Sequence, residues 1–210
     1  SETAKGPENP ILAVYKPSRG EYPLWDFPAE TLAHRETAAF IVSQALGWEL
    51  VPPTVYREEA PLGPGSLQLF INHDVEYHYF NFKRKDRQRL QSVVLFDLLV
   101  NNADRKAGHI LIDENDHIWL IDHGICFHTE DKLRTVLWDF AGQPVPQNLR
   151  ADIAVFARQL TKRSPLFQLL ACHLSQGEIK ALKRRAEILT EIERYPSPPA
   201  DRRPYPWPPI

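Results

Sequence analysis

Four ionisable side chains border apolar stretches of this chain: Lys16 closing ILAVYKP, Glu36 in HRETAAFIVSQALG, Asp104 in NNADRKAGHILID and Asp122 in IWLIDHG. A carboxylate at the end of a strand can ligate a hard cation such as Mg2+, which takes oxygen donors and keeps several waters. A carboxylate in a loop can orient a hydroxyl and receive its proton. A strand lysine, fixed by a helical glutamate, offsets the crowded negative charge of a nucleotide triphosphate. Lys, helical Glu, loop Asp and then Asp-x-Gly is the order of parts that ATP-dependent phosphoryl transfer requires.

Each part alone has a plainer reading. A lone Lys/Glu pair is usually a surface ion pair of small value. NADR fits a helix C-cap turn, and IDHG fits a strand leaving for a turn. The functional reading rests on the order and on the elements that carry the residues.

Those elements follow from hydrophobic pattern and punctuation. ILAVYKP (11–17) reads as a strand stopped by Pro17, which holds Lys16 on a rigid element. A Pro- and aromatic-rich loop containing Trp25 leads to TLAHRETAAFIVSQALG (31–47), a helix ended by glycine. VPPTVYRE (51–58) and SLQLFINH (66–73) read as strands around the turn APLGPG, giving a small antiparallel sheet with one packed helix. HDVEYHYFNFKRKDRQ is a connector; its basic KRKDR run (83–87) could face an anionic substrate, although a solvated connector is the simpler reading. RLQSVVLFDLLV (89–100) reads as a helix, and HILID and HIWLID as a hairpin turning at ENDH. From 129 onward a loop with a short helix, TEDKLRTVLWDFAGQPVP, precedes three helices: NLRADIAVFARQLTK, PLFQLLACHLS and QGEIKALKRRAEILTEIERY. In that loop Arg134 could meet a phosphate or pair with Asp139. The closing YPSPPADRRPYPWPPI is too rich in proline for anything but extended backbone.

Composition bounds the partners. The chain has 210 residues, enough for one large domain or two small lobes sharing a cleft. With 25 basic and 27 acidic residues and a formal net charge of −2, no global field draws nucleic acid or an anionic membrane. No run reaches the roughly 18 apolar residues of a membrane span, and SETAKGPENP lacks a signal pattern, so integral membrane association is not expected. Cys126 and Cys172 suggest neither a disulfide framework nor a thiolate metal site, and a cytoplasmic location fits. There is no methionine, even at position 1, which points to a piece of a longer chain or to residues lost from it. Oligomeric state is not legible.

VYKP, HRETAAFIVSQALGWELVPPT, NNADRKAGHILID and WLIDHGICF together resemble a family of uncharacterised bacterial proteins related to phosphatidylinositol 3/4-kinases. The resemblance covers most of residues 11–140 and extends into PYPWPP. More distantly the pattern is similar to HipA-type serine kinases and type II phosphatidylinositol 4-kinases, with their N-x-D-R-x-x-x-N loop and D-x-G metal site. The resemblance implies an α+β, two-lobed protein-kinase-like fold. Residues 1–73 would form a small lobe with an antiparallel sheet and one helix, 74–195 a mostly helical lobe, and 196–210 a Pro-rich tail. It further implies ATP and Mg2+ as cofactors, Lys16 on the phosphates, Glu36 as its partner, Asp104 and Lys106 as catalytic residues, and Asp122 on the metal. Gln68, Leu69, Phe70 and Ile71 would be the hinge strand whose backbone meets adenine.

Two positions depart from that pattern. Where the family places a metal-binding Asn, this chain has His109, a softer donor better suited to Mn2+ or a transition metal than to Mg2+. Only 15 residues precede Lys16, none of them a Gly-rich phosphate loop, so the first hairpin is read as truncated or missing, with SETAK the stub of its second strand. Both favour, as a second reading, a nucleotide-binding pseudokinase with a regulatory role. A third class is a metal-dependent hydrolase built from His73, His78, His109, His117, His123 and His128 with Asp74 and Asp122, although no two of these histidines have H-x-H or H-E-x-x-H spacing. The phosphoryl acceptor, whether lipid, protein hydroxyl or small molecule, is not legible.

Overall fold

The computed structural model describes residues 11–21 and 24–210. The expected SETAK strand stub lies outside them. The first strand, β1 (Ala13–Pro17), is followed by α1 (Leu32–Leu46) and by β2 (Thr54–Arg57) and β3 (Gly65–Leu69). They form an antiparallel sheet in the order β1-β3-β2, with Lys16 opposite Ser66. Gly65 is required where β3 passes β1, because a Cβ there would come within 2.8 Å of the Pro17 Cα. α1 lays Ala38, Val42 and Leu46, spaced four apart, into the core, and Gly47 ends it at φ 69.

The second half begins with a single helical turn, α2 (Arg84–Arg87), then α3 (Gln91–Val100). The KRKDR run supplies this turn: Arg87 lies over the Tyr79 ring at 5.1 Å and pairs with Asp139 at 3.6 Å. The hairpin β4 (Ile110–Ile112) and β5 (Ile118–Leu120) turns through residues 113–117, where Asp113 Oδ1 accepts the N–H groups of Asn115 and His117. The strand expected to run to residue 73 ends at Leu69, where the chain crosses between the halves.

The helices α4 (Gln147–Gln159), α5 (Pro165–Ala171) and α6 (Gln176–Glu191) complete the order. α6 starts in a capping box, with Ser175 accepting from the Glu178 N–H and Glu178 accepting from the Ser175 N–H. The short helix expected within 129–146 does not form. Its backbone donors are committed elsewhere: Arg134 N–H to Asn102, Thr135 N–H to Pro204 and Val145 N–H to Glu193.

One core joins both halves. It runs from α1 through the fully buried Phe96, Phe127 and Phe156, each contributing roughly 1.5–3 kcal/mol by burial. α1 is also tied to the helical half by polar contacts. Arg35 Nη2 donates to Glu178 at 2.5 Å, Trp48 Nε1 to Asp152 at 2.9 Å, and the His34 and His173 Nδ1 atoms meet at 3.1 Å. The helix carrying Glu36 is therefore held in place.

Candidate active site

β1 and α1 bring Lys16 and Glu36 together, and the end of β5 brings Asp122 to both. Lys16 Nζ donates to Glu36 Oε1 at 2.5 Å and to Asp122 Oδ1 at 3.0 Å. Glu36 is only 3% exposed, and its other oxygen accepts the His123 N–H at 3.0 Å. One carboxylate thus fixes the lysine and the backbone of the Asp-x-Gly turn. Burial pulls the Lys16 pKa down, but the carboxylates of Glu36 and Asp122 outweigh it and hold the ammonium form above its ordinary range. Burial raises Glu36, against the pull of Lys16.

Asp122 sits at φ 63, a left-handed conformation uncommon for a residue with a Cβ and frequent at functional sites. The turn aims its carboxylate into a cleft of about 250 Å3 lined by Lys16, Gly20, Glu21, Leu32, Glu36 and Gly124. Burial alone would raise the Asp122 pKa, but Lys16 and then His109 bring it below the usual carboxylate value. Its side chain is 49% exposed, leaving oxygen lone pairs free.

Asp104 lies in the loop after α3, its N–H donating to Asn102 Oδ1 at 2.9 Å and its carboxylate 3.7 Å from Lys106 Nζ. Burial lifts its pKa to about 6; Lys106 opposes the rise and the charge of Asp122 adds to it. That is a carboxylate poised as a base near neutral pH.

The residue between these two loops was not apparent from sequence. Arg105 is fully buried and donates to Asp97 from Nε at 3.0 Å and Nη2 at 2.9 Å, to Ile121 O at 3.0 Å, to His109 O at 3.2 Å and to His123 Nε2 at 2.8 Å. It follows Asp104 in sequence and grips the residues on either side of Asp122, so one guanidinium sets the spacing of the two carboxylates. The available signal was Asp97, the lone ionisable residue in the apolar SVVLFDLLV. Asn101, at φ 55, serves the same loop: its amide donates to His128 O and Glu130 O, and its oxygen accepts the Lys132 N–H.

His109 reaches Asp122, with Nε2 3.3 Å from Oδ2. Burial lowers its pKa to about 4, so it is neutral at pH 7. Four of the five other histidines of the hydrolase reading are engaged structurally, and His78 begins the single turn Tyr79–Asn81. His73 Nδ1 meets Ile71 O at 2.8 Å, His117 Nε2 meets Glu49 O at 2.9 Å, His128 Nδ1 accepts the Glu130 N–H, and His123 is buried against Arg105. Among the described residues no three of His, Cys, Asp and Glu gather to hold a metal ion, which leaves that reading without a site. A single half-exposed carboxylate does suit Mg2+, which takes one or two protein carboxylates and completes its shell with phosphates and water.

At the expected hinge, Gln68 turns inward and donates to Thr54 Oγ1 at 2.9 Å, while the N–H groups of Leu69 and Phe70 donate to Pro53 O and Leu12 O. Of these four residues, Ile71 offers the N–H that meets no acceptor among the described residues. Arg134 does not pair with Asp139, which takes Arg87 at 3.6 Å; its charge instead bears on Asp104. Trp25 stands 91% exposed, over Lys132 at 5.1 Å. Among the described residues no helix is long and apolar enough to cross a membrane.

Comparison with known proteins gives relatives and a fold. Protein Rv2133c of Mycobacterium tuberculosis is 39% identical over 233 aligned positions, which cover 94% of this chain and 82% of that protein. Phosphatidylinositol 4-kinase gamma 4 of Oryza sativa subsp. japonica is 32% identical over 124 positions, covering 50% of this chain and only 22% of the plant protein. Among solved structures, the Helicobacter pylori proinflammatory kinase CtkA superposes with a TM-score of 0.52 at 12% identity, covering 87% of this chain and 85% of that one. That likeness is one of fold, and the fold is kinase-like. A profile of the family described as phosphatidylinositol 3- and 4-kinase matches residues 28–189, most of the chain, and the chain belongs to that family.

Proposed function

We propose that the chain is an ATP-dependent phosphotransferase to an alcohol. The observation that carries this is Lys16, held by a buried Glu36 and touching Asp122, with the loop of Asp104 tied through Arg105 to the Asp122 turn closely enough that the charge of Asp122 bears on Asp104. Lys16 holds the nucleotide phosphates and Glu36 orients it. Asp122, with His109 beside it, binds Mg2+ or Mn2+, which neutralises charge on the transferring phosphoryl group when bound. Asp104 receives the acceptor's proton as the hydroxyl oxygen bonds to the γ-phosphorus and ADP leaves. Lys106 offsets charge on the transferred group, and Gln68 to Ile71 border the adenine, with the Ile71 N–H as donor. The names of the family and of the rice relative lean toward a lipid alcohol, but the chemistry serves a lipid, protein or small-molecule hydroxyl alike, and the residues around Asp104 do not separate them.

The second reading, a nucleotide-binding pseudokinase, is favoured by His109. Thermal unfolding with and without ATP, under Mg2+ and Mn2+, followed by ATP turnover, separates the two. The active reading expects nucleotide stabilisation and turnover that Asp104→Asn lowers by about 100-fold or more. Stabilisation with turnover absent in the parent leaves the pseudokinase, and no stabilisation under either metal defeats both.

A further inference from the structure

The Pro-rich stretch after α6 docks along the segment that follows Asp122. Residues 193–195 pair with 142–145: the Val145 N–H donates to Glu193 O at 2.8 Å, the Gly142 N–H to Tyr195 O at 2.9 Å and the Tyr195 N–H to Gln143 O at 3.0 Å. Arg202 then pairs with Asp131 at 2.5 Å, and Pro204 O accepts the Thr135 N–H at 3.0 Å. Pro206 is buried. Finally Pro209 O accepts the Ala107 N–H at 2.8 Å, inside the loop that carries Asp104 and Lys106.

The chemistry of proline explains why such a sequence does this work. Each proline brings a carbonyl and no N–H, so the stretch supplies acceptors without needing acceptors of its own. Its backbone is already restricted, so docking it orders little that was free. The receiving donors need it: Ala107 and Thr135 are buried, and their N–H groups meet no other acceptor among the described residues. Thr135 lies beside Arg105, in a bridge between the two segments, with the Arg105 N–H donating to Arg134 O at 3.0 Å and the Val136 N–H to Arg105 O at 3.2 Å. The stretch therefore closes the far side of the scaffold that spaces Asp104 from Asp122. The family match ends at residue 189, before it begins.

We infer that residues 196–209 are a strap that positions the catalytic loop for phosphoryl transfer and keeps the segment 131–145 ordered without any added modification. Its buried Pro206 and its Arg202 are positioning residues that act through Ala107 and Thr135. This rests on the kinase reading above.

The test uses the full chain with Pro206→Asp, which puts a charge where the strap is buried, the milder Arg202→Ala, and the exposed Ile210→Ser as control. Amide hydrogen exchange by NMR at Ala107 and Thr135 is measured beside ATP turnover and the stabilisation by nucleotide. The strap predicts faster exchange at both amides in Pro206→Asp, a turnover rate down by about tenfold or more as expected for a misplaced catalytic group, and nucleotide stabilisation kept. Arg202→Ala should move the same way by less, Arg202→Lys should recover it, and Ile210→Ser should match the parent. Full turnover in Pro206→Asp with exchange accelerated overturns the inference, as does unchanged exchange in a folded variant. If Pro206→Asp does not fold, parental exchange and turnover in Arg202→Ala overturn it. A parent without turnover defeats the kinase reading instead, and the strap is then decided by exchange at Ala107 and Thr135 alone.

Discussion

Two clusters, each of one basic side chain, one aspartate and one histidine, meet at the adjacent residues Asp122 and His123. Arg105, Asp97 and His123 form one; Lys16, Asp122 and His109 form the other. In the first, Arg105 and Asp97 are 0% and 1% exposed by side chain; in the second, Lys16 and Asp122 are 35% and 49% exposed. Burial raises Asp97, and Arg105, Asn102 and the Thr135 hydroxyl pull it back, so its carboxylate has no capacity left over. Asp122 meets Lys16 and His109 and keeps lone pairs for a ligand. A base, an aspartate and a histidine act as a scaffold where the carboxylate is buried and fully engaged, and as a candidate reaction centre where the carboxylate is half-exposed.

That contrast breaks first at Asp97. Asp97→Ala leaves Arg105 buried without its counter-ion, and about 3–5 kcal/mol of stability should go with it, measured by urea unfolding. A loss under about 1 kcal/mol would mean that the buried cluster is not the scaffold described here. Asp122→Asn should do the reverse. Lys16 keeps Glu36, so stability should stay within about 1 kcal/mol of the parent, while ATP turnover falls by about 100-fold or more. Unfolding that tracks the loss of turnover would erase the distinction between the clusters.

How the two clusters were legible differs as well. Lys16, Glu36 and Asp122 end or occupy elements that hydrophobic pattern delimits, so their meeting could be expected from order alone. Asp97 sits in a helix whose pattern says only that it is buried, and what it pairs with is set by a loop held partly by distant partners at Ile121, His123 and Arg134. The same cause defeated the short helix expected in 129–146, because partners at Asn102, Glu193 and Pro204 take its backbone donors. Proline content told that 196–210 is extended, but composition carries no information on where an extended segment docks.

Asp104 offers a finer probe, since burial lifts its pKa to about 6. As the proposed base it must be ionised in the free protein, so kcat/KM for ATP should fall about tenfold per pH unit below pH 6. The linkage to stability has the opposite sense. A carboxyl with a raised folded pKa favours the fold below its unfolded value of 3.8, and that contribution is lost as pH rises through about 6. Asp104→Asn, neutral at every pH, should therefore gain stability relative to the parent at pH 8 compared with pH 4. An equal difference at both values, read from Tm, would mean that Asp104 titrates as a solvated carboxylate.

The smallest expected effect distinguishes what His109 does beside Asp122. Its Nε2 lies 3.3 Å from Asp122 Oδ2, and burial keeps the ring neutral. As a ligand it would favour the softer Mn2+, and His109→Asn, which supplies an amide oxygen, should shift the ratio of Mn2+- to Mg2+-supported turnover toward Mg2+ by about threefold. If His109 only orients Asp122, the substitution lowers turnover equally with both metals and the ratio stays put. Fixed stability with a changed ratio extends the open cluster to three working residues. A fixed ratio makes His109 a support for Asp122, as His123, one residue along, is for Arg105.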